Sequence, residues 1–360
     1  LAEAVEELWS QKFFEILMPS KDLIMISNLI EKLVQKENLT FDEAVSAMTS
    51  IMDGEATPSQ FASLVTALRM KGETVEEVSG MASVMRTMSL HVDTENDLVD
   101  TCGTGGDGFG TFNVSTAAAF VAAGAGIKVG KHGNRAMSSK SGSADVLEAL
   151  GANIQLNSQQ IAHCISETGF GFMFAQSFHP SMKYAAGPRR EMGIRTVFNI
   201  LGPLTNPAGA ARQLIGVADP SFGELMANVL GKLGSEKALV VHGDDGLDEI
   251  TISTSTTVWE LEAGKVDSYK IKPEDFGIPL SSLENIKAGN AEESANLIRG
   301  VLGGEPGPSR DIVVMNAGAT LFVAGISDTL SECMSISANS IDSGKAMKSL
   351  NEHIELSNAI

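Results

Sequence analysis

The sequence predicts an α/β protein with an N-terminal helical domain and a larger α/β domain, whose mostly parallel central sheet is flanked by helices. Two patterns support this fold class. Helix-start signals dominate residues 1–95, and short apolar runs alternate with amphipathic helical patterns from residue 96 onward. Such alternation is typical of βαβ units, which build parallel sheets. A chain of 360 residues is long enough for two domains.

The first 95 residues contain three capping boxes, in which a threonine stands three residues before a glutamate or glutamine and an apolar run follows. The pairs are Thr40 with Glu43, Thr57 with Gln60, and Thr74 with Glu77. Gly54 and Gly72 stand where helix C-termini are expected, which keeps the connections short as in a packed bundle. A peripheral helix is also expected in "LAEAVEELWSQKFFEILMPS". This block carries no catalytic motif.

Residues 96–360 show the strand and helix alternation of the second domain. The predicted strands are "DLVDTC", "GIKVG", "ANIQL", "FGFMFA", "RQLIGVA" and "KALVVHG". Right-handed crossovers would bring the carboxyl ends of these strands to one edge of the sheet, where ligands of open α/β sheets bind. The stretch "TTVWELEAGKVDSYKI" alternates without a helix and predicts a hairpin. Three helices are expected to close the chain.

Charge and composition restrict the function. The net charge of −19 disfavours affinity for nucleic acid or anionic lipid, since both need a cationic field. Cys102, Cys164 and Cys333 lack metal-ligand spacing, so reduced thiols are expected. The sequence contains no run of 18 apolar residues and no signal-peptide pattern near its start. We therefore expect a soluble protein of the cytoplasm, or of the plastid stroma if its source is a plant.

A glycine-rich turn, "DTCGTGGDGFGTFNVST", follows the first predicted strand. Its glycines permit positive φ and leave no Cβ to block a ligand, so backbone N–H groups can converge on an anion. The helix that starts near Asn113, Ser115 and Thr116 adds its N-terminal N–H groups and hydroxyls, which favour phosphate. A plain strand-to-helix loop with capping residues is the alternative, because the turn is neither a Walker A motif nor a clean dinucleotide fingerprint.

A second turn, "KHGNRAMSSKSGSADVLEALG", follows the next predicted strand. It offers a point charge on Lys131, a bifunctional amide on Asn134, and the hydroxyls of Ser138, Ser139 and Ser143. Two such turns on neighbouring strands are far less common by chance than one. A ligand with two phosphate groups, one at each turn, fits best.

An acidic turn, "VHGDDGLDEI", ends a later strand. If Asp248 and Glu249 face the phosphates, a divalent cation must lie between them, and Mg²⁺ held by one or two carboxylates plus ligand phosphates is the usual arrangement. The alternative is a solvated acidic turn, which a protein this acidic could carry without function.

Together these motifs resemble the anthranilate phosphoribosyltransferases of tryptophan biosynthesis, in the group that also holds pyrimidine nucleoside phosphorylases. The resemblance spans about residues 27–355 and includes "HPSMKYAAGPRREMGIRTVFNILGPLTNP". It implies transfer of a 5-phosphoribosyl group from phosphoribosyl pyrophosphate to anthranilate with Mg²⁺. It also implies a homodimer formed by the helical domain, to which a helical part of about residues 182–206 is joined, and a catalytic domain at 96–360.

Carried over by position, the resemblance assigns residues to each ligand. Phosphoribosyl pyrophosphate is placed on Gly103, Gly106, Asp107, Thr111, Asn113, Val114, Ser115, Thr116, Lys131, His132, Gly133, Asn134, Arg135, Ala136, Met137, Ser138, Ser139 and Ser143. Anthranilate is placed on Gly103, Asn134 and Arg189, with His132 and His179 nearby. Mg²⁺ is placed on Ser115, Asp248 and Glu249. Because "AAGPRR" shifts the family's usual proline to position 188, Arg190 remains an alternative to Arg189 for the carboxylate.

The chemistry of such a transfer needs no obligatory general base, because an aromatic amine is uncharged at neutral pH. His132 and His179 are therefore expected to contact ligand and not to transfer protons. Two alternative functions remain open at this stage. A nucleoside phosphorylase would use phosphate and a nucleobase, and a non-catalytic relative would bind nucleic acid, which the charge disfavours.

Overall fold

The computed structural model describes residues 26–94, 97–136 and 140–360, so the helix expected in residues 1–20 lies outside the described residues. The N-terminal helices α1–α4 are Ile26–Val34, Phe41–Met52, Pro58–Lys71 and Val75–Thr87. Helices α5–α15 are Val114–Gly124, Ser143–Ala149, Ser158–Thr168, Ala175–Phe178, Lys183–Met192, Phe198–Leu201, Gly223–Lys232, Ala291–Leu302, Pro308–Ala324, Leu330–Asp342 and Lys345–Ala359. Short 3-10 helices cover Pro180–Met182, Gly202–Leu204, Pro220–Phe222, Pro273–Phe276 and Leu283–Ile286.

The three predicted capping boxes all form, and each starts a helix of the N-terminal block. In the third, the Glu77 carboxylate accepts the N–H of Thr74 at 2.8 Å. It also accepts the N–H of Leu39 at 2.9 Å and the ammonium of Lys71 at 3.0 Å. This side chain is fully buried, so the cap also fixes how α4 packs against the turn before α2.

The central sheet has seven strands in the order β3-β2-β1-β4-β5-β6-β7. The strands are Val99–Gly103, Val129–Gly133, Phe170–Phe174, Arg212–Gly216, Lys237–Gly243, Thr256–Glu262 and Lys265–Ile271. β1 to β5 pair in parallel, and the predicted hairpin adds β6 and β7 as antiparallel strands. The predicted fold class is confirmed: a helical domain and an α/β domain with a mostly parallel sheet.

Three details of the predicted elements are wrong. Residues 152–156 form no strand, because the N–H groups of Asn153 and Gln155 bond to the side chains of Ser357 and Asn153 instead of a neighbouring strand. The second strand begins only at Val129, so Lys131 and His132 lie in β2 and not in the turn after it. Four helices, α12 to α15, close the chain where three were expected.

The sheet has a hydrophobic core on each face, as alternation along its strands requires. Leu214 and Leu239 belong to the core formed with α5 and α12–α15, whereas Ile215 and Val240 belong to the core formed with α1–α4 and α11. Residues from 182–206 are buried in this second core, among them Ala185 and Leu201. Across the described ranges, every helix is too short or too polar to cross a membrane.

His353, on α15, is a buried neutral side chain that makes stability depend on pH. Its ring meets Phe170 edge-on, with the centroids 4.8 Å apart, and burial lowers the pKa of His353 from 6.5 to about 4. Since the unfolded chain binds the proton more strongly, we expect stability to fall between about pH 6.5 and 4. The loss from this side chain is at most roughly 3 kcal/mol. Urea unfolding of wild type and His353→Leu across that range should show a flatter curve for the variant, and parallel curves would contradict it.

Candidate active site

The carboxyl ends of β1, β2 and β5 meet at one edge of the sheet, and the three predicted ligand-binding turns lie there. The turn after β1 has Gly105, Gly106, Gly108 and Gly110 at φ of 67°, 79°, 80° and 68°. These left-handed conformations are strained for residues that carry a Cβ, so the turn requires its glycines. Thr111 ends the turn in a bridge to Lys287.

Asp248 and Arg195 hold the glycine turn from two sides. The N–H of Gly105 donates to the Asp248 carboxylate at 2.7 Å. A Cβ on Gly103 would lie 2.5 Å from the same carboxylate, and a Cβ on Gly106 would collide with the Arg195 guanidinium. The backbone of the turn therefore approaches both side chains closely, which only glycine allows.

The start of helix α5 is fixed by side chains from three other segments. The Asn113 side-chain oxygen accepts the hydroxyls of Ser141 at 2.9 Å and Ser294 at 2.8 Å. The N–H of Ser115 donates to the Glu249 carboxylate at 3.1 Å. Among the described residues, the buried hydroxyl of Thr116 has no partner, and the neighbouring Val114 is buried too. The main-chain N–H groups of residues 113–116 already have partners within the protein, so this helix start offers an anion its positive dipole end and the Thr116 hydroxyl.

Lys131 lies on β2 beneath the turn and is almost fully buried, at 2% exposure. Its ammonium donates to the carbonyl of Thr101 and, at 3.1 Å, to the hydroxyl of Ser115. Burial lowers the pKa of Lys131, and the negative charges of Asp100 and Glu249 oppose that shift. The ammonium therefore supplies a positive charge between the start of α5 and the acidic turn.

The second predicted turn is described only in part. The main-chain carbonyl of Asn134 accepts the N–H of Ala144 at 3.2 Å and the hydroxyl of Ser143 at 3.4 Å. The turn therefore closes on the start of helix α6. Gly133 ends β2, and a Cβ there would collide with Ser143. The predicted residues Met137, Ser138 and Ser139 lie outside the described residues.

Arg135 and Ala136 face helix α6 in this structure. The guanidinium of Arg135 pairs with Asp145 at 2.9 Å and bidentately with Glu148. The N–H of Ala136 donates to Asp145 at 3.0 Å. Both carboxylates belong to α6, and the guanidinium also lies 5.5 Å from the Phe174 ring centroid, so the described geometry does not direct it towards the glycine turn.

Asp107, Asp248 and Glu249 bring negative charge to the site. Burial raises the pKa of Asp248, and the charge of Asp107 raises it further; burial and the charge of Asp248 do the same for Glu249. Half-buried carboxylates whose pKa values are raised in this way, with too little positive charge nearby, suit a hard cation. No three such side chains in the described ranges already converge as a full ligand set. The donors therefore fit Mg²⁺ that takes its remaining oxygens from a ligand, as expected for Asp248, Glu249 and the Ser115 hydroxyl.

A cavity of about 260 Å³ opens next to the glycine turn. Its lining includes the five residues that the sequence assigns to anthranilate: Gly103, His132, Asn134, His179 and Arg189. Met85, Met182, Phe198 and Pro203 supply apolar surface of the kind that holds an aromatic ring.

Arg189 differs from Arg190 in its surroundings. Arg189 lines the cavity, its guanidinium lies 5.3 Å from the Phe198 ring centroid, and burial lowers its pKa. No carboxylate in the described part of the chain pairs with it. Arg190, by contrast, is exposed and outside the cavity lining. This geometry favours Arg189 as the partner of a ligand carboxylate.

His132 and His179 form a pair of neutral rings at the cavity, with centroids 5.0 Å apart. Burial lowers the pKa of His132 to about 3 and that of His179 to about 4. The Nε2 atoms of both rings are buried without a partner among the described residues. Two neutral rings with free nitrogens can bond a polar group of a ligand, but neither ring is charged near neutral pH.

Three residues of the site were missed at the level of sequence. Arg195 bonds to the glycine turn, buried Asp100 accepts the N–H of His132 at 3.3 Å, and buried Asn316 bonds to both the N–H and the carbonyl of Ile250. Asn316 thereby fixes the backbone next to Glu249. Its polar side chain inside the apolar run "VVMNAGATLF" was the one available signal.

The fold and the site define a two-domain glycosyl transferase. The sequence-family model described as "Glycosyl transferase family, helical bundle domain" matches residues 27–89. A second family model, "Glycosyl transferase family, a/b domain", matches residues 95–347. An anthranilate phosphoribosyltransferase of Acetivibrio thermocellus is 54% identical over 93% of this chain and 97% of its own length. One of Moorella thermoacetica is 52% identical over 91% and 96%. The chain belongs to the anthranilate phosphoribosyltransferase family.

Solved structures agree with this assignment. The crystal structure of anthranilate phosphoribosyltransferase from Thermus thermophilus superposes with a TM-score of 0.87 at 42% identity, covering 92% of this chain and 99% of that one. The Saccharomyces cerevisiae enzyme, solved in complex with PRPP and Mg, has a TM-score of 0.85 at 28% identity, with coverage of 93% and 98%. The resemblance drawn from the sequence motifs, and the enzyme class, are confirmed.

Proposed function

We propose that the protein transfers the 5-phosphoribosyl group of phosphoribosyl pyrophosphate to the amine of anthranilate, which yields N-(5-phosphoribosyl)anthranilate and pyrophosphate. The observation that carries this proposal is the position of the cavity. Gly103 both lines the cavity and ends the strand from which the glycine turn starts. An aromatic acid in the cavity would therefore lie beside a phosphorylated sugar on the turn, as a direct transfer requires.

The donor's phosphates would bind to the glycine turn, the start of α5 and the described part of the second turn. Lys131 and the N–H groups of the turn stabilise the negative charge that grows on the leaving pyrophosphate, and one strong preorganised donor is typically worth about 3–4 kcal/mol. Mg²⁺, when bound, neutralises pyrophosphate oxygens. Asp248, Glu249 and Ser115 would hold it.

The acceptor amine needs no activation, because it is uncharged at neutral pH. The low pKa values of His132 and His179 keep both rings neutral, so they can orient the acceptor through hydrogen bonds without repelling the cationic sugar of the transition state. Arg189 would hold the acceptor carboxylate through its planar fork. Catalysis then rests on positioning and electrostatics.

Loss of anthranilate fluorescence in the presence of phosphoribosyl pyrophosphate and Mg²⁺ tests the proposal. Omitting any one component should abolish the signal. A parallel assay with phosphate and pyrimidine nucleosides tests the phosphorylase alternative, and an electrophoretic shift with DNA at low salt tests the nucleic-acid alternative. Phosphorylase activity or DNA binding, combined with no loss of anthranilate fluorescence, would overturn the proposal.

Arg189→Ala should raise the KM for anthranilate by roughly 10- to 100-fold, because a charge-assisted hydrogen bond to a carboxylate is worth about 1.5–3 kcal/mol. The KM for phosphoribosyl pyrophosphate should stay within about two-fold, since the guanidinium is assigned to the acceptor carboxylate and not to the donor phosphates. Arg190→Ala is the matched control and should change neither constant by more than that. The reverse ranking would transfer the carboxylate role to Arg190.

The helical part of the chain serves as the dimerisation surface in this proposal. Residues 1–95, with the helical segments of about 182–206 joined to them, would form a homodimer, and residues 96–360 would carry the site. Exposed apolar side chains support such a surface, among them Met70 at 82% and Val34 at 64%. A two-fold pairing is the commonest oligomer. We place the enzyme in the cytoplasm.

Light scattering at micromolar concentration should give twice the mass of the 37.9 kDa chain. Replacing the exposed Met70 by Lys should shift the protein towards monomer, because a charge would enter the buried interface. The exposed Ile326, replaced by Lys, is the control and should leave the dimer intact. A monomeric wild type would rule out the dimer.

A further inference from the structure

Arg195 lies in the connection between helices α9 and α10 and reaches the glycine turn. Its guanidinium donates to the carbonyl of Gly105 at 3.1 Å and to that of Gly106 at 3.3 Å. No carboxylate in the described ranges forms an ion pair with this guanidinium. Its hydrogen bonds therefore go to the backbone of the very turn that would bind the donor.

The turn needs such support because its own sequence specifies little. Glycine populates positive and negative φ about equally, so a segment with four left-handed glycines loses much conformational entropy when it orders. Asp248 bonds to the N–H of Gly105, but this carboxylate is also one of the expected Mg²⁺ ligands. Arg195 bonds only to carbonyls, so its contact can persist when cation and phosphates bind.

Arg195 is itself fixed from the helical block. Arg69, on α3, donates a hydrogen bond to the backbone carbonyl of Arg195. On the other side, the N–H of Thr196 donates to the Asn199 side chain at 2.9 Å. A continuous set of contacts therefore runs from the helical block through Arg195 to the glycine turn.

We propose that Arg195 is a positioning residue for the phosphoribosyl donor, which holds the glycine turn in the conformation that receives the phosphates, and that Arg69 fixes Arg195 in place. The role rests on the proposed function, because it concerns the donor of that reaction. Arg195 acts on the turn and through the turn on the ligand, without touching the reacting atoms.

Steady-state kinetics test the role with a matched set of variants. Arg195→Gln should raise the KM for phosphoribosyl pyrophosphate about 10-fold and leave the KM for anthranilate within about two-fold. Arg195→Lys, which keeps a cationic donor, should recover part of the loss. Arg212→Gln is the control, because Arg212 also donates to a backbone carbonyl, that of Ala324, but at the opposite edge of the sheet. It should behave as wild type.

Hydrogen exchange of the free protein provides a readout that does not depend on activity. Arg195→Gln should accelerate exchange of the Gly105 amide and of the peptide covering residues 103–111, while Arg212→Gln should not. Arg69→Gln should act in the same direction more weakly. In the Arg195→Gln background, Arg69→Gln should add nothing at the turn, because the contact through which it acts is gone.

The outcomes separate this role from the others. If Arg195→Gln raises the donor KM but leaves hydrogen exchange unchanged, Arg195 binds the phosphates directly. If both KM values rise equally, Arg195 has a general structural role. Either result overturns the proposal. If wild type shows no transfer at all, the proposed function fails. The exchange data then still decide whether Arg195 orders the turn.

Discussion

Replacing Asp248 by Asn together with Glu249 by Gln should reduce kcat/KM by roughly 100-fold or more at moderate Mg²⁺, with partial recovery as Mg²⁺ is raised. Neutral amides coordinate this hard cation weakly. The fold should persist or gain stability, because the raised pKa values of these two half-buried carboxylates show that their charges are unfavourable there, and the amide oxygen of Asn can still accept the Gly105 N–H. Activity and stability should therefore move in opposite directions, which a merely unfolded variant would not show.

The measurement is an activity titration with Mg²⁺ at fixed ionic strength, paired with thermal unfolding. Asp244→Asn is the control: it removes a charge from the same acidic turn, but that carboxylate pairs with Lys270 at 2.6 Å and accepts the hydroxyl of Thr257 at 3.0 Å. Superimposable titrations of wild type and double variant would remove the metal assignment. Tighter donor binding without metal would instead show that the two carboxylates only repel the phosphates.

Lys131→Met should nearly abolish activity and also destabilise the fold. The ammonium is buried between the Thr101 carbonyl and the Ser115 hydroxyl, and it compensates the charges of buried Asp100 and half-buried Glu249. Removing one partner from a buried charge pair costs about 3–5 kcal/mol. The loss of a positive charge beside the leaving group adds a loss of roughly 100-fold in kcat.

Urea unfolding and the fluorescence assay measure these two effects separately. Lys140→Met is the control, because Lys140 is an exposed lysine of the turn that follows β2. Adding Asp100→Asn to Lys131→Met should recover stability, since the carboxylate left unpaired becomes neutral, while activity stays low. Recovery of both, or of neither, would contradict the separation of the two roles.

Local patterns predicted the parts of this fold that depend on local chemistry. A capping box needs only two residues three apart, and the boxes at Thr40, Thr57 and Thr74 formed as predicted. Strands depend on partners that are distant in sequence. The apolar residues within 152–156 are buried although they pair with no strand. β2 begins later than its apolar run, because its pairing with β3 starts where Val129 aligns with Phe170.

The candidate site likewise contains residues that the sequence motifs could predict and residues that they could not. The residues assigned to the acceptor lie around one cavity, because they stand at or after the carboxyl ends of strands or in one helical segment that the motifs identify. Arg195 bonds to backbone carbonyls, and because every residue has one, the residue types in the sequence could not identify its partners. Arg135 remains a predicted donor contact, and in this structure its guanidinium pairs with Asp145 and Glu148. Charge alone does not tell which of two nearby anionic groups an arginine will choose.

Donor and acceptor recognition in this fold differ in how they can evolve. In the proposed function the donor binds on the glycine turn, whose backbone requires its glycines, and the helix behind this turn is built from small residues, with Gly124 packed against the main chain at Ala346. Substitutions there deform the chain without offering a new specificity. The acceptor side is lined by Met85, Met182 and Phe198, which single mutations can resize. Point mutations can therefore change which acceptor binds, whereas specificity for the phosphoribosyl donor depends on the backbone of the fold and changes much less readily.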